Sequence, residues 1–258
     1  MARKKSRWVV KAGSQMVCEG GPLLIRSWMH QVAALKRRGV EIVWVTSGAI
    51  AGAVERTGFR SPNRSIAEKQ ALSAIGQPLI MDLYNLALQS VGCMGAQALL
   101  TYDDFKNSTR KKNLENTLIQ LMKWNAIPIL NENDVISTEE IQFGDNDSLS
   151  AKVARLLKAD RLVVLTDVEG LFDKDPKKHK DARIIHHLAS VSDQQLRQVV
   201  PKGGSVRGTG GMYSKLRAAR EALEGGIETW LVKGDHPQVL LKIHRGEPVG
   251  TLIGGSPS

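Results

Sequence analysis

Short runs of β-branched and aliphatic residues alternate along this chain with longer segments whose apolar residues recur every three to four positions. Residues 40–46 (VEIVWVT) and 161–166 (RLVVLT) are nearly continuous apolar runs, which are typical of strands buried on both faces of a parallel sheet. Residues 22–38, in contrast, place Ile25 and Trp28 on one face of a helix. This alternation predicts an α/β fold with a mainly parallel central sheet and helices on both faces.

The remaining segments continue the same alternation. Gly76 and Pro78 favour a break in a long helix, because proline lacks the N–H group that a helix interior needs. No repeat, low-complexity linker or sharp shift in composition divides the chain, so we expect a single domain over residues 1–258. Further strands are predicted at residues 7–11, 96–101, 127–130 and 227–232, and further helices at residues 65–90, 108–125, 149–159, 212–224 and 238–244.

The chain is strongly basic. Its 258 residues include 36 Lys and Arg against 26 Asp and Glu, which gives a net charge of +10. Part of the excess lies in two clusters, at residues 3–7 and 174–180, and neither cluster is interleaved with aromatic residues. A stacking platform for single-stranded nucleic acid needs such aromatics, so no nucleic-acid partner is expected. The positive charge instead suits a polyanionic substrate such as a nucleotide.

Several classes of protein and of site are disfavoured. No apolar run reaches the ~18 residues of a transmembrane helix, and the charged N-terminus lacks the apolar segment of a signal peptide. Two cysteines, Cys18 and Cys93, are too few for a disulfide framework or a four-cysteine zinc site, which favours a reducing cytoplasm. The six histidines have no metal-ligand spacing, so no metal site built from protein side chains is expected.

Polar and glycine-rich sequences follow four of the predicted strands. Ligands of parallel α/β sheets bind beyond the carboxyl ends of the strands, so this is where a site is expected. The distribution therefore indicates an enzyme rather than a passive scaffold. The sequences are Lys11-Ala12-Gly13-Ser14, Thr46-Ser47-Gly48-Ala49, Asn131-Glu132-Asn133-Asp134 and the single Asp167.

Three glycine-bearing turns are candidates for binding phosphate. Gly13 lets backbone N–H groups approach an anion beside the charge of Lys11, although an ordinary turn with a surface lysine would look the same. The second candidate is the turn at Ser47. Its alternative role is structural, as the start of a helix whose N-terminus Ser47 caps. Residues 208–211 lead into a helix with Lys215 on its first turn, which suits phosphate, and the alternative is a flexible loop. No Walker A motif or dinucleotide fingerprint is present.

An acidic cluster, Asp145-Asn146-Asp147, precedes the helix predicted at residues 149–159. The helix dipole and capping explain one acid at this position, but not the whole group together with Asn131 and Asp134. Carboxylates and amides at this density suit an ammonium group, a metal-bound phosphate or lysines that need a fixed position. We therefore expect the cluster to belong to a functional site.

Taken together, these motifs resemble the glutamate 5-kinases of the amino acid kinase family. No single segment is specific, but the set spans nearly the whole chain in the family's order. The resemblance implies a three-layer α/β/α sandwich and ATP-dependent phosphorylation of the side-chain carboxylate of L-glutamate, which gives L-glutamyl 5-phosphate for proline biosynthesis. The matching segments are VVKAGS (9–14), VTSGAI (45–50), NEND (131–134), FGDND (143–147), LTDVEGLFD (165–173) and GTGGM (208–212) with Lys215.

The resemblance also implies roles by position. Lys11 corresponds to a lysine that bridges the transferring phosphate, Lys215 to one on the nucleotide phosphates, and Asp147 to an aspartate that holds both lysines. Residues 1–155 would supply the glutamate-binding part and residues 156–258 the nucleotide-binding part, with Mg²⁺ held mainly by the phosphates of ATP. The implied ATP site comprises Lys11, Gly13, Thr166, Asp167, Thr209, Gly210, Gly211, Met212 and Lys215, and the implied glutamate site comprises Ser47, Asp134, Asp145 and Asn146.

The family resemblance extends to partners. It implies a homo-oligomer, feedback inhibition by proline and a glutamyl phosphate reductase that receives the product. Many members carry a further C-terminal PUA domain, which the 258 residues do not include. Two alternatives remain open: a kinase of another small acid of the family, such as N-acetylglutamate, aspartate or isopentenyl phosphate, and a catalytically weak regulatory or nucleic-acid-binding protein, which the charge of +10 motivates.

Overall fold

A computed structural model describes residues 5–137, 146–176, 178–199 and 211–255 of the chain. Its strands are β1 (Arg7–Ala12), β2 (Glu41–Val45), β3 (Met94–Leu100), β4 (Ala126–Glu132), β5 (Arg161–Thr166), β6 (His187–Leu188), β7 (Glu228–Lys233) and β8 (Thr251–Ile253). They form one sheet in the order β3-β4-β2-β1-β5-β7-β8-β6. Strand β8 runs antiparallel to β7, and the other neighbouring pairs are parallel.

Helices cover both faces of this sheet. They are α1 (Ser14–Arg37), α2 (Ala49–Thr57), α3 (Ile66–Gln89), α4 (Asp103–Lys106), α5 (Ser108–Lys123), α6 (Asn146–Leu156), α7 (Asp193–Gln198), α8 (Met212–Glu224) and α9 (Val239–Arg245). Buried side chains of α1, α3 and α9 pack on one face, and those of α5, α6 and α8 pack on the other. The predicted three-layer α/β/α sandwich is confirmed. Among the described residues, no helix combines the length and the apolar character needed to cross a membrane.

The alternation of side chains along β1 decides which layer receives Lys11. Successive residues of a strand point to opposite faces of the sheet. Val10 packs in the core on the α1 side, whereas Val9 packs in the core on the α6 side. Lys11 follows Val9 by two residues and therefore points toward α6 and α8. The carboxyl end of β1 thus places a lysine in the layer that carries Asp147 and Lys215.

Helix α1 begins at Ser14, eight residues before the predicted start at residue 22. Gly21 interrupts it with a left-handed φ of 52° and ψ of −153°, and Pro22 then opens the second segment, as proline does at a first helical position. The prediction found this second segment and missed the first. The first segment buries only Met16 and Val17, so it carries too little apolar periodicity to be recognised.

Helix α3 runs without interruption through Gly76 and Pro78, so the break predicted there is wrong. Ser65 caps its N-terminus, because the Ser65 hydroxyl accepts from the N–H of Glu68 and the Glu68 carboxylate accepts from the N–H of Ser65. Gly76 permits a close approach of α2, since a Cβ there would lie 1.8 Å from the carbonyl oxygen of Ala49. This contact fixes the start of α2 directly after the turn that follows β2.

We expect Gly76→Ala to lower the free energy of unfolding by ~1–3 kcal/mol or more, because a backbone oxygen must move to admit the methyl group. Gly52→Ala on α2 is the matched control. Its Cβ would meet only Cδ1 of Ile80 at 3.7 Å, and alanine favours the helix over glycine. Urea unfolding of both variants measures the difference. A Gly76→Ala protein as stable as the Gly52→Ala protein would contradict the close approach.

Candidate active site

A cleft of about 550 Å³ opens at the carboxyl ends of β1, β2, β4 and β5. Parallel α/β sheets bind ligands at this position, and the volume is within the range of small-molecule sites. Eight of the residues predicted from the sequence line it: Lys11, Gly13, Ser47, Asp134, Asn146, Thr166, Asp167 and Lys215.

Asp147 lies between two lysines at the base of this cleft. Its fully buried carboxylate places Oδ1 2.5 Å from Nζ of Lys11 and Oδ2 3.6 Å from Nζ of Lys215. The two lysine side chains are only 4% and 8% exposed. Buried charges are costly unless they are paired, so the carboxylate is what lets two ammonium groups lie side by side here. Two lysines against one carboxylate leave an excess positive charge, which suits an anionic ligand.

Two helix N-termini position these charges. Asp147 is in the first turn of α6, and Lys215 is in the first turn of α8, which Gly211 precedes. The hydroxyl of Ser214 lies 2.9 Å from Oδ2 of Asp147 and adds a hydrogen bond between the two helices. The helix dipole accounts for an acid in the first turn of α6. The ion pairs with both lysines account for its complete burial.

Asn146 ties three segments together. Its Nδ2 lies 2.7 Å from the carbonyl oxygen of Thr46, 2.9 Å from Oγ of Ser47 and 2.6 Å from Oδ1 of Asn131. Ser47 therefore does not cap α2, and that alternative is wrong: Gly48, at φ 101°, precedes the helix instead. Oδ1 of Asn146 is buried at the wall of the cleft, and no group in the described part of the chain forms a hydrogen bond with it. It is an acceptor well placed for a donor group of a ligand.

Asp134 follows β4 and is held from the side of α3. Its Oδ2 accepts a 2.6 Å hydrogen bond from Oγ of Ser73. Burial raises the pKa of Asp134 above its usual value, the Ser73 hydrogen bond opposes the rise, and the charge of Glu132 adds to it. A cation bound beside Asp134 would stabilise the ionised carboxylate. The position therefore favours an ammonium group of a ligand.

The other end of the cleft is formed by the turns after β1 and β5. The N–H of Gly13 donates to the carbonyl oxygen of Leu165 across 3.4 Å, which joins the two turns. The hydroxyl of buried Thr166 donates to Oδ1 of the exposed Asp167 at 3.0 Å. A Cβ at Gly13 would lie 3.9 Å from Nζ of Lys11, so a side chain here would extend beside the lysine. Lys11 and Lys215 line the cleft next to these turns, and their ammonium groups suit a phosphate chain.

The structure brings together most of the residues that the sequence pointed to, and adds others. Asp147 contacts Lys11 and Lys215 of the lining, Gly211 precedes α8, and Met212 begins it. Asp145, Thr209 and Gly210 lie outside the described residues. The site list from the sequence lacked Ser214, Asn131 and two basic residues of the cleft wall, Arg64 and Lys69. Only Asn131 had a visible signal, because it opens the polar sequence at the end of β4.

Comparison with protein families and curated proteins gives consistent matches. Residues 6–233 match the model of the amino acid kinase family. A protein of Chromobacterium violaceum named glutamate 5-kinase is 43% identical over 251 residues, which are 96% of this chain and 67% of that protein. Proteins of the same name from Marinomonas sp. and Caldanaerobacter subterraneus are 42% and 41% identical, over 97% and 96% of this chain and 68% and 67% of their own length.

A solved structure shares the fold. The isopentenyl phosphate kinase of T. acidophilum, in a product complex, superimposes with a TM-score of 0.62 over 96% of this chain and 100% of its own. The sequence identity is 17%. At this identity the likeness concerns the arrangement of the sheet and the helices.

Proposed function

The chain belongs to the amino acid kinase family, and we propose that it transfers the γ-phosphoryl group of ATP to the side-chain carboxylate of L-glutamate. The products are ADP and L-glutamyl 5-phosphate, in the first step of proline biosynthesis. The observation that carries the proposal is the pair of buried lysines, Lys11 and Lys215, on one carboxylate at the base of the cleft. The shared name of the relatives at 41–43% identity supports the substrate.

The chemistry needs charge neutralisation more than a base. A glutamate side chain has a pKa near ~4.3, so the attacking carboxylate is already ionised at neutral pH. The barrier comes from bringing this anion in line with the γ-phosphoryl group, which is itself anionic. Lys11, which would bridge the transferring group, and Lys215, on the phosphates of the leaving ADP, supply positive charge where it develops. Asp147 fixes both ammonium groups before the substrates arrive.

The nucleotide end is assigned to the turns after β1 and β5 and to the start of α8. Gly13, Thr166 and Asp167 line this end of the cleft, and Gly211 precedes the helix that carries Lys215. Both oxygens of Asp147 already contact Lys11, Lys215 or Ser214, so we assign Mg²⁺ mainly to the phosphates of ATP. Residues 156–258 would thus form most of the nucleotide part, and residues 1–155 the glutamate part, of a single domain.

The glutamate end is assigned to Ser47, Asp134 and Asn146. The desolvated carboxylate of Asp134 and the buried Oδ1 of Asn146, which has no partner within the described ranges, are acceptors for the three N–H groups of an α-ammonium. These acceptors favour a free amino acid and disfavour an N-acylated one, whose amide carries no charge. The same reasoning separates glutamate from N-acetylglutamate and from isopentenyl phosphate.

We expect Asp134→Asn to raise the KM for glutamate by ~10-fold or more with a smaller change in kcat, because it removes a charged hydrogen-bond partner of the ammonium. Since burial raises the pKa of Asp134, the kcat/KM of the unmodified protein should fall as the pH drops. This acidic limb of the pH profile should lie above the usual pKa range of carboxyl groups. That limb should be absent from the variant. An unchanged KM would remove Asp134 from the substrate site.

Hydroxamate formation tests the proposed reaction. Hydroxylamine traps an acyl phosphate, so L-glutamate, N-acetylglutamate, aspartate and isopentenyl phosphate are each incubated with Mg·ATP and hydroxylamine while ADP is measured. The expected result is hydroxamate and ADP from L-glutamate alone. ADP without hydroxamate in the presence of isopentenyl phosphate would favour a phosphate acceptor. If no acceptor gives hydroxamate or ADP and the protein binds RNA in a salt-dependent way, the kinase assignment would be overturned.

Partners follow from the same substrate. Proline carries an ammonium and a carboxylate on one carbon, as glutamate does, and we propose that it inhibits by competing for the acceptors at Asp134 and Asn146. We also propose that a glutamyl phosphate reductase receives the product, because an acyl phosphate cyclises or hydrolyses in water. A cytoplasmic location is proposed as well, which fits the free thiols of Cys18 and Cys93.

A homo-oligomer is the proposed assembly. Strand β3 is an edge of the described sheet, and unpaired strand edges tend to pair with another chain. Leu86 on α3 and Met94 on β3 are 66% and 57% exposed beside this edge. Light scattering of the purified protein decides the state. A Leu86→Glu variant that dissociates the oligomer would locate the contact on this face.

A further inference from the structure

We infer that Arg64 and Lys69 form the subsite for the α-carboxylate of the amino-acid substrate. The inference rests on the proposed function and assigns the part of glutamate that the residues above leave unbound. Both side chains line the wall of the same cleft as Asp134 and Asn146. The subsite would make the enzyme selective for substrates with a free α-carboxylate.

Lys69 lies next to the ammonium site along helix α3. It precedes Ser73 by four residues, so the two side chains lie on the same face of the helix, one turn apart. Ser73 is the residue that donates to Asp134. A cation and a carboxylate are therefore neighbours on the wall formed by α3. The α-carboxylate and α-ammonium of an amino acid are attached to one carbon and require such a pair of opposite charges.

Arg64 adds a donor to the same part of the cleft wall. Its Nε is buried and has no hydrogen-bond partner among the described residues, which is costly for a cationic group. Its one hydrogen bond among the described contacts is a long one, 3.5 Å from Nη2 to the carbonyl oxygen of Phe59. A guanidinium binds a carboxylate through two parallel N–H groups, and the Nε edge is one such pair. A bound α-carboxylate would satisfy this buried donor.

The neighbouring acid does not occupy this subsite. Arg64 acts on Glu68 electrostatically and contributes to lowering the pKa of that carboxyl, after the hydrogen bonds from Ser65. The Glu68 carboxylate, however, accepts from the N–H of Ser65 in the helix cap, and Glu68 borders a neighbouring depression beside Arg64 and Lys69 rather than the cleft itself. Of the residues that the structure describes, the charged ones that line the cleft are four cations, Lys11, Arg64, Lys69 and Lys215, against two acids, Asp134 and Asp167. The charge balance of the cleft lining is positive, as an α-carboxylate requires.

The test compares L-glutamate with its α-amide, which keeps the side-chain carboxylate and the ammonium but has no charge at the α-carboxyl. The unmodified enzyme is expected to bind the amide, measured as a competitive inhibitor, at least ~10-fold more weakly than glutamate, as for a lost charged hydrogen bond. Arg64→Gln and Lys69→Gln should each raise the KM for glutamate, and together by ~10-fold or more, with little change in kcat. In these variants the inhibition constant of the amide should stay within about twofold of its value in the unmodified enzyme. The variants would therefore lose the preference for glutamate over the amide.

Arg60→Gln is the matched control, because it removes an exposed positive charge from the same loop without touching the cleft wall. Thermal unfolding checks that each variant is folded, and Arg64→Lys should recover part of the affinity by restoring the charge. Turnover of glutamate by the unmodified protein is measured first, and its absence would refute the proposed function rather than this subsite. With turnover present, an unchanged glutamate KM in the double variant, or an equal loss for glutamate and for the amide, overturns the subsite.

Discussion

Lys11→Ala and Lys215→Ala are each expected to lower kcat by ~100-fold or more, the loss seen when one preorganised electrostatic group is removed from an active site. Both ammonium groups are buried and fixed by Asp147, so they stabilise charge without any reorganisation during the reaction. Water that fills the space of a removed lysine reorients more freely and stabilises less. Steady-state kinetics with glutamate and Mg·ATP measures the effect.

Lys152→Ala is the control for this prediction. Lys152 also bridges α6 and α8, through a 3.1 Å ion pair with Glu221, but does not line the cleft. Its loss should leave kcat within about twofold, because Lys152 lies outside the lining of the cleft and a partly exposed ion pair contributes only ~0–1 kcal/mol to stability. Near-normal turnover in either Lys11→Ala or Lys215→Ala would remove that lysine from the transfer step.

Asp147→Asn is expected to damage both stability and turnover. It leaves two buried lysines without their shared carboxylate, and breaking a buried ion pair in this way costs ~3–5 kcal/mol of unfolding free energy. Because the lysines lose their fixed positions, kcat should fall far more than the KM for glutamate rises. Urea unfolding and steady-state kinetics measure the two effects.

The charge balance at Asp147 also allows the cause of the stability loss in Asp147→Asn to be tested. If the loss of stability comes from two unpaired ammonium groups, removing one of them in Asp147→Asn/Lys215→Met should recover part of it. Mg·ATP should also stabilise Asp147→Asn more than it stabilises the unmodified protein, because the phosphates replace the missing negative charge. A double variant less stable than Asp147→Asn, or an effect of Asp147→Asn on KM alone, would contradict the assigned role.

The sequence was sufficient to predict the sheet and the edge of the sheet that carries the site. The nearly continuous apolar runs at residues 40–46 and 161–166 allowed no solvent-facing side, so a parallel sheet between two helical layers was the expected outcome. Polar residues at the carboxyl ends of four strands then located the cleft. The short strands β6 and β8 went unpredicted, because two or three residues show no periodicity.

Pairings between distant residues could not be obtained from spacing. Asp147 contacts a lysine 136 positions earlier and another 68 positions later, and only the family resemblance suggested both contacts. Arg64 and Lys69 looked like ordinary surface residues at the start of a helix. Their place in the cleft depends on the packing of α3 against α2 through Gly76. No local sequence pattern predicts this contact.

The most direct test of the central claim follows one oxygen atom. L-Glutamate labelled with ¹⁸O at both side-chain carboxylate oxygens is incubated with the enzyme and Mg·ATP. Attack of a labelled oxygen on the γ-phosphorus breaks the bond to ADP and forms an acyl phosphate. The α-amine, once deprotonated, then attacks the acyl carbon and closes a lactam. Phosphate leaves with the bridging oxygen. We predict that each released phosphate carries one ¹⁸O atom and forms only when glutamate is present. Unlabelled phosphate, released at the same rate without glutamate, would show hydrolysis of ATP by water and contradict the proposed transfer.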